Sequence, residues 1–203
     1  MNSVILTKSY KKLPFCEREI LRYAGCKAAD NETEMILKSV IAEVKDKLDY
    51  KVCYCELPLK TENDICDFGA FCVKSQNLAQ SINGCEKIIL FAATIGVGID
   101  RIIAKYGRIS PSKAIWFQAI GAAQIETLCN AFCEDIEKEY NICTRPRFSA
   151  GYGDLPLSVQ REIFSILNPE KRIGLTLNDS LLMSPTKSVT AFVGLGDKVE
   201  NLK

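Results

Sequence analysis

The run KIILFAAT, residues 87–94, is the tightest constraint on how this chain can fold. It is almost continuously apolar and rich in β-branched and aromatic types, which predicts a strand buried on both faces. The apolar stretch from Ile88 to Ile99 is interrupted by Thr94, Gly96 and Gly98, and at 12 residues it is too short to cross a membrane. A second constraint follows at Ser110-Pro111, an N-cap hydroxyl with proline at the first helical position. From there Phe117, Gly121, Ile125, Leu128, Phe132 and Ile136 recur at three and four, predicting a helix to about Tyr140 whose apolar stripe packs on the sheet.

The rest fills in around these two. Phe15 to Tyr23 reads as a short helix, and Asp30 or Asn31 caps a longer one with an Ile36, Val40, Val44, Leu48 stripe. YKVCYCEL (50–57) reads as a strand ended by Pro58, and Ser75 opens a short helix that Asn83-Gly84 closes. Val159 to Leu167 reads as a helix stopped by Asn168-Pro169. RIGLTL (172–177) and SVTAFVGL (188–195) read as two closing strands that pair antiparallel. Helices and strands mix without strict alternation, so the expected class is α+β, a single domain over 1–203 with a mostly antiparallel sheet packed by helices.

Charge and cysteine usage exclude several functions. Lys+Arg number 26 against 25 Asp+Glu, so no global field recruits nucleic acid or anionic lipid. MNSVILTKSYKK lacks a long apolar core and a small-residue cleavage site, so it does not read as a signal peptide, and a cytoplasmic setting is expected. There the ten cysteines stay reduced. No paired C-x-x-C occurs; Cys53 and Cys55 share one strand face, and Cys129 and Cys133 are i,i+4 on the long helix, spacings that fit buried small hydrophobes better than a metal site. The chain has no histidine, the commonest metal ligand and general base. TIGVGID (94–100) lacks the third glycine of a dinucleotide loop and reads as a tight strand-to-helix turn. No self-contained catalytic constellation is visible.

RFSAGYGDLP (147–156) is different. Arg147 offers a planar fork of donors suited to a carboxylate. Ser149, Ala150 and Gly151 can bring the backbone close to a ligand, and Tyr152 offers a ring face and a hydroxyl suited to a sulfonium or a ribose. On chemistry alone a ligand loop and a packed turn stand level.

Arg-x-x-x-Gly-Tyr with a following proline, then GLTLNDSLLMSPTKSV (174–189), resembles the reactivation domain of vitamin B12-dependent methionine synthase, in its short stand-alone form. The second signature appears as Leu177, Asn178, Asp179, Ser180, Met183, Pro185, Ser188 and Val189, with Thr176 one place earlier. The FAATIG and AIGAAQIE segments belong to the same likeness, which spans roughly residues 85 to 196.

The resemblance implies a domain that binds S-adenosylmethionine beside a cobalamin carried by a partner protein. That partner would be a corrinoid-binding methyltransferase, or a methionine synthase lacking its own reactivation domain. A flavodoxin-like or ferredoxin-like donor would supply the electron. It further implies that Arg147 pairs with the S-adenosylmethionine carboxylate, that the Ser149–Ala150–Gly151 backbone meets the ligand, and that Tyr152 lines the pocket or faces the corrin. The family's helix-borne glutamate falls at Asn130, with Glu126 one turn earlier as its substitute. These 203 residues hold no cobalamin or homocysteine module, so the implied role is accessory to methionine biosynthesis. A binding module without methyl transfer and a cysteine-based redox or metal protein are the alternatives.

Overall fold

The apolar run at 87–94 is the middle strand of a five-stranded antiparallel sheet, and its two faces organise everything else. The computed structural model describes residues 4–26 and 30–196. In chain order the elements begin with β1 (Leu6–Tyr10), α1 (Glu17–Tyr23), α2 (Asn31–Val44) and β2 (Tyr50–Pro58). A small three-stranded sheet follows, made of β3 (Lys60–Glu62), β4 (Ile65–Asp67) and β5 (Cys72–Lys74). Next come α3 (Gln76–Ser81), β6 (Lys87–Thr94), α4 (Val97–Ile109), α5 (Pro111–Tyr140) and β7 (Cys143–Thr144). The chain then runs through α6 (Gln160–Leu167), α7 (Pro169–Ile173), β8 (Thr176–Leu177) and β9 (Met183–Ser184) to β10 (Ser188–Gly196).

The large sheet has the order β1-β2-β6-β10-β7, with every neighbour antiparallel. Side chains alternate strictly about it. Tyr50, Val52, Tyr54, Ile89, Phe91, Ala93, Ala191, Val193 and Leu195 face a core built with α1, α2, α4 and α5. Cys53, Cys55, Leu57, Ile88, Leu90, Ala92 and Phe192 face a second core, built with α3, α6, α7 and the small sheet. The expected architecture is present: an α+β arrangement in which the Phe117/Ile125/Leu128/Phe132 stripe of α5 is buried against the sheet. Phe132 meets Phe91 and Tyr54 with ring centroids 5.0 Å apart in both pairs. Gln124, fully buried in the AIGAAQIE segment, is satisfied: its carbonyl accepts from the Tyr50 hydroxyl and its amide donates to the Pro14 carbonyl.

Two expectations need correction. Residues 172–177 do not form one strand paired with 188–195. Pro169 opens a helical turn through Ile173, Gly174 ends it at φ +70°, and only Thr176–Leu177 pair, with Met183–Ser184. The last strand instead pairs with β6 and β7. Ser110 sits at the N-cap of α5, yet its side chain makes no capping bond.

The TIGVGID segment is a strand-to-helix turn, as its spacing suggested. A Cβ at Gly98 would lie 2.0 Å from the Lys47 carbonyl oxygen, so close backbone approach explains that glycine.

Candidate functional site

The 147–156 loop is entered through a change of register. Cys143 and Thr144 pair with Gly196 and Leu195, and the Arg145 N–H donates to Gly194 O at 2.8 Å. Phe148, however, pairs with Phe192 through two bonds of 3.0 and 2.8 Å. Residues 145–147 therefore stand opposite 193–194, which makes a one-residue β-bulge. In an unbulged ladder Arg147 would lie opposite Phe192 and share its face. The bulge sends Phe148 to the Phe192 side of the sheet and turns Arg147 towards α5.

There Arg147 Nη1 donates to Asn130 Oδ1 and Nη2 donates to Glu126 Oε2, both at 2.7 Å. Glu126 and Asn130 are one helical turn apart, so α5 presents both oxygens to one fork. Cys129 and Cys133 lie beside the guanidinium; burial raises both thiols, and the arginine charge pulls each partly back down. A groove of about 360 Å³ runs from Arg147 past Asn130, Cys133, Glu134 and Glu137 to Thr144 and Arg145. Glu137 accepts from the Thr144 N–H and hydroxyl, closing that end. Another hollow, about 460 Å³ and lined by Leu57, Pro58 and Phe68, has none of the motif residues in its wall.

Beyond Phe148 the loop tightens. Ser149 is half-buried and its carbonyl accepts from the Tyr152 N–H at 3.1 Å; Ala150 is buried. Gly151, at φ +87°, donates to Leu155 O at 2.9 Å, and a Cβ there would lie 3.0 Å from Leu157 Cδ1. Gly153 is also left-handed, at φ +58°. The two glycines hold Tyr152 outward at 69% exposure, with its ring edge-on to Phe148 at 5.5 Å.

Asp154 anchors the loop from below. Its carboxylate accepts from the Ser75 hydroxyl and from the N–H groups of Gln76 (2.7 Å) and Asn77 (3.2 Å), and so ties the loop to the first turn of α3. Sequence reading missed this link, because it joins positions 79 residues apart. The Ser75 hydroxyl, then the Gln76 and Asn77 amides, hold the carboxyl below its ordinary value. The stabilisation is therefore complete above the ordinary carboxylate range, near pH 4, and is lost as pH falls through the lowered value. Asp154→Ala should raise hydrogen exchange at 75–78 and 151–155 at neutral pH, and wild type should show the same loosening only on acidification. Unchanged exchange in the variant would show that the tether does not hold the loop.

The second motif segment closes the sheet's other end. Asp100, in the first turn of α4, accepts from the Thr186 N–H and hydroxyl. The Ser188 hydroxyl lies 2.8 Å from Thr94 Oγ1. The Lys187 stem crosses α5 at Gly121, and burial holds its ammonium below the ordinary lysine value. Arg161 Nη2 donates to Asp179 O at 3.2 Å, joining α6 to the turn that displays Leu182.

The structure thus brings Glu126, Asn130 and Arg147 together and sets the Ser149–Tyr152 turn directly after them. No protein-family model matches the chain, and no curated protein matches it in sequence. Among solved structures, a crystal structure of the MetH reactivation domain bound to AdoHcy matches with a TM-score of 0.71 at 14% identity. The match covers 97% of this chain and 80% of that one. The fold is therefore that of the methionine synthase reactivation domain.

Proposed function

We propose that this chain is an S-adenosylmethionine-binding accessory protein that docks in trans on a corrinoid methyltransferase and supports its reductive reactivation. The observation that carries this reading is the bulge that aims Arg147 at α5, with Glu126 and Asn130 beside it and the Gly151-Tyr152 turn next in the chain. A guanidinium fork takes the carboxylate of the methionine moiety, and the Glu126 carboxylate beside it suits the ammonium. The exposed Tyr152 and Leu182 of the two motif segments, with Leu157 just after the first, provide apolar surface for a partner that carries the corrin. One electron from a separate donor and the sulfonium methyl would restore the methylcobalt, leaving S-adenosylhomocysteine.

Calorimetry with S-adenosylmethionine, with and without a methylcorrinoid protein, tests the reading. We expect weak binding alone and tighter binding with the partner. No heat at millimolar ligand, even with the partner present, rejects it.

One observation favours a second reading, a binding module without methyl transfer: two donors of the Arg147 fork are already engaged inside the protein. Turnover of a Co(II) partner with reductant and S-adenosylmethionine separates the two. Burial pushes Cys53 up to about 12 and Cys55 to about 11, far from the thiolate form at neutral pH, which speaks against a redox role for the CYC pair, whereas Cys16 and Cys72 are exposed rather than buried as expected.

A further inference from the structure

We propose that Glu126 is an internal stand-in for the ligand's carboxylate, which holds the Arg147 fork closed and makes the site select zwitterions over simple carboxylates. This rests on the reading of Arg147 as the carboxylate-binding residue. The pair is lopsided. Arg147 is 24% exposed and packed beside Cys129 and Cys133, whereas Glu126 is 46% exposed on the helix surface. Glu126 is thus the partner free to swing.

An incoming carboxylate that takes the Nη2 donor replaces Glu126 there, and the adjoining groove is lined by Glu134 and Glu137 as well as Arg145. Displacement by a plain carboxylate leaves Glu126 without its cation and adds like charge beside it. A ligand that also carries an ammonium restores the balance, because the displaced Glu126 accepts from it while Asn130 stays on the fork. Exchange is then nearly even in charge pairs, and the site reads the α-amino and α-carboxyl groups together.

Two measurements test this, one of them without ligand. Phenylglyoxal modification of Arg147, followed by mass spectrometry of its peptide, should be severalfold faster in Glu126→Ala than in wild type. An unchanged rate overturns the closed fork, whatever the ligands do. In calorimetry, wild type should prefer S-adenosylhomocysteine over its N-acetyl derivative, which keeps the carboxylate and loses the ammonium. Glu126→Gln should bind the N-acetyl derivative about two- to fivefold more tightly than wild type does, the worth of a half-exposed ion pair, and so narrow that preference. If Glu126→Gln weakens both ligands alike, Glu126 is an ordinary ligand contact and the proposal fails. If modification speeds up while no variant binds either ligand, the closed fork stands and the proposed function falls.

Discussion

Phe132→Ala should destabilise the protein by about 3–5 kcal/mol, the usual range for removing a fully buried aromatic ring. Phe132 is completely buried, and it is the point where α5 meets two strands at once, through Phe91 of β6 and Tyr54 of β2. The cavity would open under a 30-residue helix that cannot bend inward to fill it without disturbing its whole buried stripe. At about 2–4 °C per kcal/mol for a domain of this size, the midpoint should fall by roughly 6–20 °C. Phe132→Leu should recover much of the loss, since most of the volume returns. A midpoint change under about 2 °C for Phe132→Ala would mean that α5 is not anchored at this point.

Arg147→Ala should weaken S-adenosylmethionine binding by about ten- to a hundredfold, corresponding to about 1.5–3 kcal/mol for a charge-assisted pair. The fold should change little, because the bulge is held by backbone bonds of Arg145 and Phe148 that do not involve the Arg147 side chain. Arg147→Lys should rescue poorly, since an ammonium cannot reproduce the planar fork that reaches both Asn130 and Glu126. Thermal melts beside calorimetry separate the possibilities: a variant that unfolds with no specific binding defect would make this loop structural.

The central strand and the long helix were legible because each has a pattern with one solution. KIILFAAT leaves no polar face, and the three-four spacing after Pro111 persists from Phe117 to Ile136. The short strands were not. β3, β4 and β5 are three residues each, in a stretch rich in Lys, Glu, Asn and Asp, and they are fixed by pairing that composition does not report. RIGLTL misled because its Ile, Leu and Thr favour strands, while Pro169 before it and Gly174 within it favour a capped turn of helix. In the site, Arg147, Glu126 and Asn130 could each be singled out, but not their contact. That contact depends on one extra residue at 145–147, and a ladder read with perfect alternation would have turned Arg147 to the other face.

The bulge has a second effect, on how molecules of this chain meet one another. A sheet edge with free N–H and C=O groups is a template on which another chain can add a strand. On one side this sheet ends in β1, five residues long with Lys8 at its centre. On the other, β7 pairs for two residues before the chain reaches Pro146, which has no N–H to offer, and the bulge then breaks the repeat that an incoming strand would have to match. The irregularity that aims one arginine at a helix thus also protects the sheet against edge-to-edge aggregation.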